Sequence, residues 1–236
     1  MLSKNQIKLI RSLELKKNRK RENLFVAEGP KVVGDLLRAG FRAHSIYSTA
    51  PRADAQLVTE DELRRISFLQ HPQELLALFE IPTPATPQPS GLSIALDGIQ
   101  DPGNMGTIIR IADWFGIHSI FCSTDTVDAY NPKVVQATMG SIAHVPIIYC
   151  DLAELINKAA CPIYGTLLDG EDIYQQELTP DGIIVMGNEG NGISTPIRPL
   201  ITHRLLIPNF SLSKETAESL NVAIATAITC SEFRRR

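Results

Sequence analysis

Long apolar runs are missing from this chain. None approaches the roughly 18 consecutive residues that a membrane-crossing helix needs, and Met1–Arg11 lacks the continuous apolar stretch of a secretory signal. A cytoplasmic protein with no membrane segment is therefore expected. Cysteine is scarce: Cys122, Cys150, Cys161 and Cys230 stand 28, 11 and 69 positions apart and form no CxxC pair. A zinc site generally draws two ligands from one tight turn. The five histidines, His44, His71, His118, His144 and His203, form neither HExxH nor HxxxH, so no bound metal is expected. Cys122 and Cys150 close apolar runs and read as small hydrophobes. With 44% apolar and 21% charged residues, the chain is neither disordered, fibrous nor a disulfide scaffold. Its 236 residues suffice for one large domain or two smaller ones with proper cores.

The net charge of −3 hides an asymmetry. Residues 1–42 hold eleven Lys and Arg against four Asp and Glu, whereas residues 43–236 hold twelve against twenty-two. The excess peaks at Lys16-Lys17-Asn18-Arg19-Lys20-Arg21, and Arg234-Arg235-Arg236 forms a second cluster. A polyanion such as nucleic acid suits such a segment, because neutralised phosphates release condensed counterions. A solvated helix face or a frayed basic tail would look the same.

Four prolines within Ile81–Gly91 deny that stretch to helix and sheet interiors. It reads as a stiff linker, residues 81–91, between a domain of residues 1–80 and one of residues 92–236. The first is expected to be a small α/β module, with helices over Asn5–Leu15 and Gly29–Arg38. In the second, apolar runs at Leu92–Leu96, Ser119–Cys122, Val145–Tyr149, Ile163–Leu168, Ile183–Met186 and Leu205–Ile207 suit buried strands. Helices are expected at Thr107–Phe115, Leu152–Lys158 and Thr216–Phe233. Strands alternating with helices predict an α/β layer fold with its ligands at the strand C-termini.

Three loops carry unusual residues. In Asp97–Arg110, a helix starting near Gly106 would leave Asn104 on the preceding loop and Arg110 a turn inside, both facing one ligand. Asn104 could equally cap that helix, with Arg110 paired to Asp113 on a wet surface. In Met186-Gly187-Asn188-Glu189-Gly190-Asn191-Gly192 the glycines let backbone line a narrow pocket, but the pattern is neither GxGxxG nor a P-loop. Glu189 has little packing value between glycines. Further on, after Ile207-Pro208, Ser219 and Asn221 lead into an apolar helix, either as caps or to fasten a ligand or loop.

The three segments in this order, Asn104-x-Gly106-x-x-x-Arg110, Met186-Gly-Asn-Glu-Gly190, and Ile207-Pro208 with Glu218-Ser-Leu-Asn-Val222, resemble the SpoU, or TrmH-like, branch of the SPOUT RNA methyltransferases. The resemblance covers residues 92–233, and Asn23-Leu-Phe-Val-Ala-Glu-Gly29 is similar to the substrate-binding domain of two-domain members. One departure stands out: Asn-Phe-Ser-Leu-Ser-Lys-Glu-Thr-Ala between Pro208 and Glu218 is longer than the family spacing and lacks its glycine. The resemblance implies methyl transfer from S-adenosylmethionine to a ribose 2′-hydroxyl of RNA, ribosomal RNA ahead of transfer RNA. It also implies a SPOUT-type parallel sheet with a C-terminal trefoil knot and a homodimer with sites at its interface. By the same resemblance Arg110, Asn104, Glu189, Ser219 and Asn221 form the catalytic set. Leu167, Met186, Gly187, Asn188, Gly190, Ile207, Pro208 and Leu220 hold the cofactor. The family assigns Arg110 as base; a guanidinium pKa above ~12 favours electrostatic stabilisation of the alkoxide instead. A catalytically silent RNA-binding protein would share the basic start but would not need Asn104, Arg110, Glu189 and Asn221 together. A Rossmann-type enzyme would carry its glycine loop after the first strand, where Asp97-Gly-Ile-Gln stands.

Overall fold

The computed structural model describes residues 1–83, 88–211 and 217–235. The chain forms two compact units, Met1–Thr83 with Asp128–His144, and Pro84–Val127 with Val145–Arg236. The middle of the proline-rich stretch, residues 84–87, lies outside the described residues, as do residues 212–216 and 236.

The first unit opens with α1 (Lys4–Ser12) and α2 (Lys16–Glu22). The Ser3 hydroxyl accepts from the Gln6 amide, and the Gln6 side chain accepts from the Ser3 amide, which fixes the start of α1. Then come β1 (Leu24–Glu28), α3 (Pro30–Arg38), β2 (Ala43–Ser48), β3 (Gln56–Leu57), α4 (Glu60–Ile66) and β4 (Leu75–Glu80). The sheet order is β1-β4-β2-β3. Alternation along the strands sends Leu24, Val26, Leu76 and Leu78 into a core with Ile10, Leu13, Leu63 and Ile66. Phe25 and Phe79 stack on the opposite face with ring centroids 5.7 Å apart.

In the second unit β5 (Leu92–Asp97), β6 (Ile120–Cys122), β7 (Ile147–Tyr149), β8 (Ile163–Asp172), β9 (Gly182–Gly187) and β10 (His203–Leu206) form a wholly parallel sheet. Its order is β10-β8-β9-β5-β6-β7. Every strand expected from the apolar runs is present. The helices of the chain's second half are α5 (Pro102–Trp114), α6 (Pro132–Ala137), α7 (Leu152–Lys158) and α8 (Val222–Arg235).

Two helix starts differ from expectation. α5 begins at Pro102, four residues before Gly106, because the Asp101 carboxylate accepts from the Asn104 amide at 2.7 Å and proline suits the first helical position. α8 begins at Val222: the Asn221 side chain accepts from the amides of Ala223 and Ile224 at 2.9 and 3.3 Å. The expected start at Thr216 lies outside the described residues, and Ala217–Asn221 are not helical.

Residues 128–144, expected within the second domain, fold with the first unit. β1 is buried on both faces, so Phe25 needs a cover, and α6 supplies one. Tyr130 lies 4.8 Å from Phe25, centroid to centroid, while Val134 and Val135 are buried. Arg19 is only 1% exposed. It meets Asp128 at 2.6 Å and donates to the carbonyls of Leu13 and Glu14. Arg19 is therefore withdrawn from the basic cluster expected to meet RNA. At the other end of the chain, Arg234 donates to the carbonyls of Phe115 and Gly116 and Arg235 pairs with Glu232, so those two charges are also engaged internally.

Asp128→Ala should strand the Arg19 charge in the interior and cost about 3–5 kcal/mol, read as a lowered denaturant midpoint. A loss below 1 kcal/mol, the range of exposed pairs, would contradict the burial of this pair.

Candidate active site

Parallel strands bring their C-terminal ends to one edge of the sheet, and the three loops of interest leave from there. The loop after β5 leads into α5, the loop after β9 carries Glu189, and the segment after β10 leads to α8. Side chains join all three. The Asn104 Nδ2 donates to Glu189 Oε1 at 3.0 Å, and Asn221 Nδ2 donates to Asn104 Oδ1 at 2.9 Å. The amides of Gln100 and Asp101 each donate to Glu189 at 3.3 Å. Partial burial pushes the Glu189 carboxyl upward, but the hydrogen bonds from Asn104, Gln100 and Asp101 outweigh it and hold the group below its ordinary value. Below this layer, buried Asp97 accepts from the Ser194 amide at 2.7 Å.

Asn104 thus has both ends of its amide engaged, on the first turn of α5. Arg110 lies six residues on, roughly 120° around the helix, in an exposed row with Thr107 and Trp114. The two were expected to face one ligand from a shorter helix; with α5 starting at Pro102 they point apart. The Arg110 side chain makes no hydrogen bond or ion pair among the described residues. Ser219 is exposed and makes no hydrogen bond among the described residues; Asn221 caps α8 instead. Sequence reasoning missed Gln100 and Asp101, although Asp-Pro ahead of an apolar helical run is a recognised helix start.

The residues expected to hold a cofactor gather at the same edge, on adjacent strands β10, β8 and β9. Met186 and Gly187 end β9, and Ile207 and Pro208 follow β10, half-buried. β10 pairs with Gly165 and then with Glu171 of β8, so Thr166–Gly170, including buried Leu167, lie outside the ladder. A Cβ on Gly187 would lie 2.3 Å from backbone atoms of Gly192 and Ile193, so only glycine fits there. Asn188 donates to the Gly98 carbonyl at 2.7 Å and accepts from the amides of Gly190 and Asn191 at 2.9 and 3.0 Å, closing the turn. Leu220 is 50% exposed beside the Asn221 cap. Apolar side chains at Leu167, Met186, Ile207 and Leu220, beside a glycine-rich turn, fit an adenosine-bearing ligand such as S-adenosylmethionine.

No described residues form a group of three or more His, Cys, Asp or Glu able to hold a metal ion. The thiols are poor nucleophiles: burial pushes Cys150 up to about 11 and Cys230 up to about 12.

Residues 91–231 match the SpoU rRNA Methylase family. The chain belongs to that family. Residues 4–77 match the MRM3-like substrate binding domain. Among SpoU relatives, the 23S rRNA (guanosine(2553)-2'-O)-methyltransferase RlmP of Bacillus subtilis is 29% identical over 240 residues, covering 96% of this chain and 95% of its own length. A solved TrmH-family structure from Porphyromonas gingivalis is 44% identical with a TM-score of 0.92, covering 100% of this chain and 99% of that one. An AdoMet-bound rRNA methyltransferase from Sinorhizobium meliloti is 32% identical with a TM-score of 0.88, covering 100% and 96%. Among the described residues, no helix is long and apolar enough to cross a membrane.

Because the folded state holds Glu189 below its ordinary value, its bracing is complete above the usual carboxylate range and is lost as pH falls through the depressed value. Glu189→Gln should therefore melt below the parent at neutral pH, with the gap closing on acidification. A gap independent of pH would remove Glu189 as the ionised brace.

Proposed function

We propose that this chain transfers a methyl group from S-adenosylmethionine to a ribose 2′-hydroxyl of RNA, ribosomal RNA in particular, in the cytoplasm. The observation that carries the reading is the joining of all three family segments by Asn104, Glu189 and Asn221 beside the apolar residues expected to hold the cofactor. The substrates named for RlmP and the Sinorhizobium enzyme support ribosomal RNA. A silent RNA binder has no use for this network.

The cofactor supplies a methyl group already activated by its sulfonium, so the protein's task is to orient the hydroxyl and manage its proton. Leu167, Met186, Gly187, Ile207, Pro208 and Leu220 would wall the cofactor, and Asn188 and Gly190 would shape the turn beside it. Asn104, Glu189 and Asn221 hold the loops in register. Arg110 provides a fixed positive charge for the developing alkoxide, and the proton leaves to water or phosphate. Ser219 lies next to the α8 start with its hydroxyl available to the substrate side. Arg110 points away from the network of its own chain. Trp114, Ile224 and Leu220 are 85%, 52% and 50% exposed on or beside the packed pair α5 and α8. These features support a homodimer with sites at the interface, and the family resemblance adds a C-terminal trefoil knot. Residues 1–80 deliver RNA, with Lys17, Lys20 and Arg21 exposed on α2; the match to a substrate binding domain supports this role.

Ribose-methylation mapping of rRNA from cells with and without the protein tests the reading directly; identical maps would defeat it. Calorimetry in EDTA should show one S-adenosylmethionine site per chain. Arg110→Ala should abolish transfer while leaving cofactor affinity within a few fold, and Arg110→Lys should rescue little, because an ammonium lacks the planar fork. Near-normal turnover in Arg110→Ala would reduce this arginine to a surface charge. Trp114→Glu should shift the protein toward monomer in analytical ultracentrifugation and lower turnover with it; an unchanged sedimentation coefficient would place the dimer contact elsewhere.

A further inference from the structure

Within the first unit, two exposed elements flank the N-terminal turn of α3. One is the turn after α6. Met139 follows the Thr138 cap with φ of 52°, a left-handed position where glycine is usual because a Cβ is strained. Asn23, the other non-glycine residue with positive φ among the described residues, belongs to a type that tolerates it. Met139 gains no compensating burial: it is 46% exposed. The turn is nevertheless held firmly. The Lys31 Nζ donates to the Met139 carbonyl at 2.6 Å and to Asp35 at 2.8 Å. A Cβ on Gly140 would lie 2.1 Å from the Asp35 carboxylate.

The second element is the loop after α4. Glu28, at the end of β1, is 6% exposed. It accepts from the Ser67 hydroxyl at 2.5 Å and the Phe68 amide at 2.7 Å. Arg11 donates to the Ser67 carbonyl at 2.7 Å and lies 4.7 Å from the Phe68 ring centroid. Burying a carboxylate is costly, and here the carboxylate anchors an exposed loop. That loop presents Gln70, His71 and Gln73, all exposed and without a hydrogen bond among the described residues. Gln73 lies against Gly29, where a Cβ would come within 2.2 Å of its Oε1.

From this juxtaposition we infer that the end of the first unit around the α3 N-terminus is a base-reading surface for unpaired RNA, resting on the RNA reading above. Met139 is its apolar platform, and Gln70, His71 and Gln73 are the hydrogen-bonding groups for base edges. The chemistry favours RNA over a protein partner. Splayed bases stack on a ring such as the His71 imidazole and hydrogen-bond through their edges to amide groups, and the pliable thioether of Met139 adds an apolar contact. The first unit is also net basic, with fifteen Lys and Arg against eleven Asp and Glu, and Lys31 stands between the two elements. The strain at Met139 is the cost of displaying a side chain where glycine would fold more easily.

The test uses the full chain with 23S rRNA transcribed in vitro, comparing the parent with Met139→Gly, Met139→Ala and Gln70→Ala/Gln73→Ala. Met139→Gly relieves the strained backbone and should melt at or above the parent, which separates lost contact from lost folding. All three variants should bind the rRNA about five- to tenfold more weakly, the scale of a lost base contact. Their logarithmic salt slope should match the parent's, because bases rather than phosphates are lost. S-adenosylmethionine affinity should not move. Parental rRNA affinity in Met139→Gly and Met139→Ala would overturn the proposal, as would a weakening accompanied by a shallower salt slope. A parent that binds and methylates no rRNA would instead overturn the wider reading of function.

Discussion

The Glu189 carboxylate is the group on which the joined loops at the strand C-terminal edge depend. A parallel sheet aligns its strand ends but leaves the loops beyond them without ladder partners. Here one ionised side chain, set between glycines, collects the Asn104 amide and two backbone N–H groups. Asn104 in turn passes its carbonyl oxygen to Asn221, which caps α8. Three segments separated by more than 100 residues of chain from first to last are thereby held by a few directional bonds. The acceptor-only chemistry of a carboxylate suits this role, because every group pointed at it is a donor.

Around that hub, backbone rather than side-chain chemistry shapes the pocket. Gly187 admits the Gly192–Ile193 backbone so closely that no Cβ fits. Gly170 does the same against Leu205 and Leu206, with a would-be Cβ 2.6 Å from the Leu205 carbonyl carbon. Its neighbours Thr166–Asp169 can then leave the β8 ladder and rejoin it at Glu171.

The first unit obeys a different constraint. A strand buried on both faces needs two covers, and the chain supplies the second from Asp128–His144 rather than from its own first 83 residues. The buried Arg19–Asp128 pair fixes that return, and the same segment brings the strained Met139 turn to the surface. One stretch of chain therefore carries both the buried ion pair and the strained turn.

Much of this was legible in the sequence. The six apolar runs became the six parallel strands because such runs bury on both faces wherever they pair. The three polar segments named the family because their residue types are dictated by short-range chemistry: glycine at a close approach, asparagine at a cap, a carboxylate among donors. What needed the tertiary structure was whatever depended on partners distant in sequence. Arg19 looked like one of five surface charges until Asp128, 109 residues away, was placed against it. Ser219 and Asn221 were both candidate caps on paper; the start of α8 at Val222 made Asn221 the cap, and its free amide then reaches Asn104. Asn104 and Arg110 seemed to share a face until Asp101 and Pro102 set the phase of α5. Local sequence determines which elements form and which residues are unusual, because those depend on backbone geometry and burial period. Which charge is buried, and which polar group meets which, is decided by packing, because it depends on chain segments that no local pattern brings together.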